Sequence, residues 1–103
     1  MKFAEFNVEA EQELAEAIAW YDAQRPGLGL RFQEAVEASV LFIRRFPRSG
    51  SRYDRQGTRK HVMRGFPYNI FFLELTDAIW IVAVAHQRRR PGYWRRRVKR
   101  PPS

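Results

Sequence analysis

The chain has 103 residues, of which 45% are hydrophobic, so it can form one domain with a single core. It contains no cysteine, which excludes a disulfide framework, a thiolate zinc site and a cysteine nucleophile. Its N-terminus lacks the apolar stretch of a signal peptide, and no apolar run reaches the ~18 residues of a membrane-spanning helix. We therefore expect a cytoplasmic protein that uses no metal or other cofactor and does not contact a membrane.

The net charge of +8 is divided unevenly along the chain. Residues 1–47 contain five Lys or Arg and eight Asp or Glu, whereas residues 48–103 contain fourteen and three. A positive field concentrated in one half attracts nucleic acid, ribosomal RNA or an acidic protein segment. The alternative is a basic surface that only keeps the protein soluble.

The first half of the chain predicts a short strand and two helices. The strand covers Lys2 to Phe6, and Asn7 then provides an N-cap for the first helix. Proline and glycine in the sequence from Gln24 to Gly27 end this helix, and a second helix runs from Leu28 to Phe46. The short link predicts an antiparallel helical hairpin. Apolar residues at helical spacing form the buried stripes: Leu14, Ala17, Ile18 and Tyr21, then Phe32, Val36, Val40 and Ile43.

The second half predicts a polar loop over residues 48–57 and then three strands, Arg59 to Phe66, Tyr68 to Leu75 and Ala78 to His86. Strands joined this closely form an antiparallel meander. The predicted fold class is α+β, in the order β-α-α-β-β-β, with a helical hairpin on one face of a small, mainly antiparallel sheet. The domain is expected to cover residues 1–94, and the basic tail over 95–103 is expected to be disordered.

The last predicted strand is apolar on both faces. Strict alternation places Ile79, Ile81, Ala83 and Ala85 on one face and Trp80, Val82 and Val84 on the other. Two helices cover only one face of a small sheet, so the second face is covered by the tail, is covered by another chain, or stays exposed. An exposed patch would mark a partner site. A latch formed by Tyr93-Trp94, which folds the tail back on the sheet, is the alternative.

Basic residues cluster on the first meander strand and beyond the last one. Arginine binds phosphate through two parallel hydrogen bonds, and Tyr93 or a lysine of lowered pKa could take the proton of a ribose 2′-hydroxyl. The alternative is anion or partner binding without chemistry, and a lone histidine such as His86 is more often structural. The candidate catalytic residues are Lys60, Arg64, Arg88 and Tyr93. The candidate partner or nucleic-acid contacts are Arg59, His86, Arg88, Arg89, Arg90, Tyr93, Trp94 and Trp80.

Four stretches, in order along the chain, resemble the RelE/ParE toxin superfamily. They are Trp20-Tyr21, residues 24–29 with Phe32, residues 66–68, and residues 83–94. The similarity extends from about Phe3 to Trp94. It implies a microbial-ribonuclease-like α+β fold and a toxin, of the kind found in plasmid stabilization systems, that a cognate acidic antitoxin neutralises.

The resemblance allows two activities. RelE-like members cut mRNA in the ribosomal A site with sheet lysines and arginines and a C-terminal tyrosine, a pattern that Lys60, Arg64, Arg88 and Tyr93 match. Val62 replaces a second strand lysine, however, and Asn69 replaces an arginine. ParE-like members instead inhibit DNA gyrase by binding it. Because groups that act as a unit fail together, the two replacements favour the ParE-like function. The alternatives are the ribosome-dependent endoribonuclease, or mRNA interferase, and a non-toxic binding module.

Overall fold

The computed structural model describes residues 1–99 and contains a helical hairpin, a five-stranded sheet and a short C-terminal helix. The strands are β1 (Phe3–Phe6), β2 (Ser51–Arg52), β3 (Arg59–Val62), β4 (Tyr68–Glu74) and β5 (Ala78–His86). The helices are α1 (Val8–Gln24), α2 (Leu28–Arg45) and α3 (Arg95–Val98). The predicted α+β class and element order are confirmed, with β2 and α3 as additions.

The sheet order is β1-β5-β4-β3-β2. β1 lies parallel to β5, and the other three pairs are antiparallel. The first meander strand is shorter than predicted, because it ends at Val62 and the chain bends before Tyr68. Within residues 1–99, no helix is long and apolar enough to cross a membrane.

The helical hairpin depends on one close approach between its helices. An ideal Cβ on Gly29 would lie 2.6 Å from the backbone oxygen of Ile18, so the two helices meet where no side chain intervenes. The carboxylate of Asp22 accepts hydrogen bonds from the backbone N–H groups of Gly27 and Gly29, at 3.0 and 3.3 Å. It thereby satisfies donors at the start of α2, which lacks a side-chain N-cap of its own.

The hairpin covers one face of the sheet, which we call the helix face. Its core centres on Phe32, which is fully buried and packs against the rings of Tyr21, Phe66 and Tyr68. Strand residues from β4 and β5 complete this core: Ile70, Phe72, Ile79, Ile81 and Val84.

A second core lies on the opposite face, which we call the C-terminal face. Trp94 and Val98, which are 1% and 7% exposed, pack there on strand side chains. The C-terminal segment of the chain itself therefore covers this face, and the predicted exposed apolar patch is wrong. The predicted disordered tail is also wrong for residues 95–99, while residues 100–103 lie outside the described part. Of the alternatives, the latch is the one that the structure contains. The strand members of this core are Phe71, Leu73, Trp80, Val82, Ala83 and Ala85.

A bulge in β5 changes which residues share a face. Phe71 pairs with Ala83 and Phe72 with Ile81, so Val82 is an extra residue on β5. After the bulge the alternation is inverted, and Ala83 and Ala85 lie on the C-terminal face while Val84 lies on the helix face. Strict alternation therefore predicted the wrong face for these three residues.

Candidate functional site

A cleft of about 200 Å³ opens on the C-terminal face, between the end of β5 and the segment that follows it. Two turns shape this segment: the N–H of Arg89 donates to the carbonyl of His86, and that of Tyr93 donates to the carbonyl of Arg90. Gly92, at a φ of 74°, lets the chain turn back over the sheet. The cleft is lined by Tyr53, Lys60, Asn69, Phe71, Ala85, His86, Gln87, Arg89, Arg90, Pro91, Gly92, Tyr93 and Trp94.

A polar network beside the cleft fixes the C-terminal segment. β1 ends at Phe6, so within the described residues β5 has no neighbouring strand beyond Ile81 on that side. Arg97 donates to the carbonyl of Val82 at 3.1 Å, and the N–H of Val84 donates to the Glu13 carboxylate at 3.1 Å. Two side chains thus satisfy backbone groups that a strand would otherwise pair.

Glu13 and Arg97 also form a bidentate ion pair. The two terminal guanidinium nitrogens of Arg97 donate to the two Glu13 oxygens, at 3.0 and 3.1 Å, and the Arg97 side chain is 6% exposed. Glu9 adds a second carboxylate, 3.3 Å from Arg97. The pair connects α1 to α3 and stabilises the position of Trp94 over the sheet.

Tyr93 is the third member of this network. Its hydroxyl donates a hydrogen bond to Glu13, and the guanidinium of Arg89 lies 3.9 Å from the centre of its ring. Burial, and secondarily the hydrogen bond to Glu13, raises the pKa of Tyr93 well above the ordinary tyrosine value. The phenol is therefore protonated at neutral pH and already committed to an acceptor.

The structure brings together some of the predicted site residues and separates others. Lys60 and Tyr93 share the cleft with His86, Arg89 and Arg90. Arg64 instead lines a different groove, with Phe42 and His61 of the helix face. The proposed catalytic set is therefore split between two surfaces.

Four other predicted contacts have different surroundings from those expected. Trp80 and Trp94 are 2% and 1% exposed and belong to the core, and Trp94 also lines the floor of the cleft. Arg59 donates to the carbonyls of Arg48 and Gly50, at 3.2 and 2.7 Å, and holds the loop before β2. Arg88 is exposed beside the cleft but does not line it.

Sequence reasoning missed Glu13 and Arg97. Glu13 lies between the buried residues Ala10 and Ala17 at helical spacing, so a charged side chain interrupts an apolar stripe. Trp94 and Val98 are four residues apart, which is the spacing of one helix face. Together these two signals could have indicated a packed C-terminal turn with a buried cation.

The sequence matches one family over residues 4–91, described as "ParE toxin of type II toxin-antitoxin system, parDE". The chain belongs to the ParE toxin family. This membership confirms the resemblance to the RelE/ParE superfamily. A comparison with curated protein sequences gave no match.

A solved structure described as "Chromosomal ParDE TA system from P. aeruginosa" has a similar fold. The TM-score is 0.75 at 16% sequence identity, and the alignment covers 84% of this chain and 96% of the other. At this identity the likeness concerns the fold, and the ParE-like arrangement of hairpin and sheet is thereby confirmed.

This ParE family member also has an apolar groove where the helical hairpin meets β1. The groove measures about 270 Å³ and lies beside β1, the edge strand of the sheet. Leu41 is 46% exposed at this groove, and Phe3 at the neighbouring edge is 76% exposed. An exposed apolar surface of this kind is typical of a partner site. The groove is lined by Phe6, Leu14, Gln33, Val36, Glu37, Val40, Leu41 and Arg44.

Proposed function

We propose that this protein is the toxin of a type II toxin–antitoxin pair, and that it inhibits DNA gyrase by binding it and does not cleave mRNA. The observation that carries the proposal, beside the family membership, is the state of Tyr93. A tyrosine that assists RNA cleavage must exchange a proton with the substrate. The Tyr93 phenol donates to Glu13 and has a raised pKa, so it is a poor general base.

The positions of the other basic residues support the same proposal. Val62 and Asn69, which replace a lysine and an arginine of the RelE-like pattern, face each other as a cross-strand pair of β3 and β4. The two losses therefore remove positive charge from one place in the sheet. Because Arg64 lines a separate groove and Arg88 does not line the cleft, the RelE-like set of Lys60, Arg64 and Arg88 is not assembled around one phosphate.

Inhibition by binding can be tested with purified components. We expect the protein to reduce supercoiling by gyrase in a dose-dependent manner, because the proposed action is a protein contact. In cells that express the protein, primer extension across abundant transcripts should show no codon-positioned cuts. Unchanged supercoiling together with such cuts would replace this function with the ribosome-dependent endoribonuclease. Unchanged growth on expression of the chain alone would favour a non-toxic binding module.

The second part of the proposal is an antitoxin that occupies the apolar groove beside β1. The exposed leucine and phenylalanine side chains there suit an amphipathic helix. The positive charge of residues 48–103 lies outside the groove and attracts an acidic partner to the protein as a whole. We expect a short neighbouring gene whose product has an acidic C-terminal half. An isolated gene would count against the pairing.

The groove can be tested with two leucines of α2. Leu41→Asp places a charge in the groove and should weaken antitoxin binding at least tenfold by calorimetry, because the aspartate must be desolvated. Leu30→Asp is the matched control, since Leu30 is 58% exposed and lies outside the groove. Equal affinities for the two variants would place the antitoxin elsewhere.

A further inference from the structure

Among residues 1–99, some cations have an acidic partner and others have none, and the basic side chains of the cleft belong to the second group. Lys2, Arg48, Arg96 and Arg97 each form an ion pair with a glutamate. Within residues 1–99, in contrast, no carboxylate lies in salt-bridge contact with Lys60, Arg89 or Arg90. No Asp or Glu of these residues lines the cleft either. Lys60 and Arg90 therefore give the cleft a positive charge, and Arg89 adds to it from the border with a neighbouring groove that Glu13 and Glu16 line.

The uncharged polar groups of the cleft add hydrogen-bond donors. The Nδ1 atom of His86 accepts from the N–H of Arg88 at 3.0 Å, so the neutral ring carries its proton on Nε2 and acts as a donor there. Gln87 donates to the side-chain oxygen of Asn69 at 3.3 Å, which leaves the Asn69 amide N–H₂ group as a donor. A surface that combines cations with N–H donors is complementary to an oxyanion such as phosphate.

Aromatic rings form the remaining wall of the cleft. The ring of Tyr53 is partly exposed and packs against Phe71 and Trp94, with centroid distances of 5.0 and 5.3 Å. These contacts hold Tyr53 in place, so its exposed part offers a fixed aromatic surface at the cleft. Single-stranded nucleic acids present a phosphate next to a flat base, and their binding sites combine a cationic groove with aromatic rings. An acidic peptide would use the cations but not the ring.

We propose that this cleft binds the phosphodiester backbone of a single-stranded nucleic acid without cleaving it. Lys60, Arg89 and Arg90 hold the phosphate, and the ring of Tyr53 stacks on an adjacent base. The strand stays intact because the Tyr93 phenol is engaged with Glu13. This site does not depend on the gyrase contact, and a protein that fails to inhibit gyrase can still bind a strand here.

The test is fluorescence anisotropy with labelled DNA and RNA oligomers of one sequence, measured at several salt concentrations. Arg89→Gln/Arg90→Gln should weaken binding about tenfold or more. It should also lower the slope of log affinity against log salt by about 1.4, from two lost contacts at ~0.7 each for single strands. Both arginines are exposed, so the fold is expected to persist and circular dichroism can verify it.

The matched control removes the same charge elsewhere. Arg31→Gln/Arg45→Gln changes two exposed arginines of α2 that lie outside the cleft. We expect the affinity for the oligomers to fall by less than about threefold, since only the general electrostatic field changes. Equal losses in the two double variants would overturn the proposal, because binding would then follow net charge alone.

The remaining measurements either support the proposal or overturn it. Equal affinity for DNA and RNA, or a preference for either, supports a phosphodiester site, and the preference identifies its source. A glutamate decamer that displaces the oligomer at equal concentration would overturn the proposal in favour of an acidic peptide. Shortened oligomers on a denaturing gel would overturn the claim that the strand is left intact. Tyr53→Leu should weaken binding of a purine oligomer more than that of an abasic one. An equal loss of affinity for the two oligomers would show that Tyr53 does not stack on a base.

Discussion

The two faces of the sheet are closed by different means. Long amphipathic helices cover the helix face, and a compact aromatic cluster around Phe32 fills the space beneath them. A short segment covers the C-terminal face, where Trp94 and Val98 supply the apolar contacts. That segment is held by the buried ion pair of Glu13 and Arg97, which also completes the hydrogen bonding of β5. Burial thus dominates on one face, and a polar network is needed on the other.

This difference has a consequence for stability. Loss of packing on the helix face removes the support of both helices, so we expect it to unfold the whole domain. Loss of the C-terminal segment leaves the helix face intact, so we expect local opening first. The cleft lies on the C-terminal face, and its shape therefore depends on the polar network.

The largest effect is expected for Phe32→Ala. Phe32 is fully buried and contacts three aromatic rings, so its truncation should lower the free energy of unfolding by about 4 kcal/mol. Denaturant unfolding followed by circular dichroism measures this loss. Phe46→Ala, at a side chain 52% exposed, is the control and should change the value little. Similar losses for the two variants would show that the helix face is not the main core.

The corresponding change on the C-terminal face is Trp94→Ala, which should lower the free energy of unfolding by about 3 kcal/mol. The effect is smaller than for Phe32→Ala because the C-terminal segment can detach without global unfolding. Hydrogen exchange should become faster at residues 93–98 and along β5, while the amides of α2 stay protected. Trp20→Ala is the control, since Trp20 is 58% exposed. Uniformly faster exchange over both helices would contradict the division into two independently closed faces.

Glu13→Gln tests the polar network directly. The change leaves the buried guanidinium of Arg97 without its bidentate partner, so we expect the free energy of unfolding to fall by about 2 kcal/mol. Glu16→Gln, at an exposed position of the same helix, should have almost no effect. If the two substitutions cost the same, Glu13 does not hold the C-terminal segment.

The smallest expected effect concerns pH. The folded pKa of Tyr93 is raised above its ordinary value of 10.0, so its contribution to stability is complete below that pH and is lost as the pH rises through the folded value. Between neutral and alkaline solution, the free energy of unfolding of wild type should therefore fall by at most about 1 kcal/mol more than that of Tyr93→Phe. Parallel pH profiles of the two proteins would show that the phenol is not held in its protonated form.

The helix face could be predicted from the sequence because its signals are long and local. Residues such as Leu14, Ala17, Ile18 and Tyr21 recur at helical spacing, and Pro26-Gly27 marks the turn between helices. Both long strands were predicted within a few residues for the same reason. The two-residue strand β2 was missed, since its pairing with β3 is a tertiary contact that two residues cannot signal.

The C-terminal face and the site were predicted less well. Arg97 follows two exposed arginines, Arg95 and Arg96, in one run, and its burial depends on Glu13, 84 positions away in the chain. The bulge at Val82 inverted the alternation of β5, and nothing in a run of β-branched residues and alanines marks it. The clustering of Lys60 with Arg89 and Arg90 followed from strand order, but the sequestration of Tyr93 did not.

The most direct test of the account is growth inhibition by Tyr93→Phe, compared with wild type under induced expression without antitoxin. Because the hydroxyl has a structural role in this account, the variant should inhibit growth as strongly as wild type at equal soluble protein level. Its inhibition of gyrase supercoiling should also be unchanged. A folded Tyr93→Phe protein that no longer inhibits growth would contradict the account and show that the phenol takes part in catalysis.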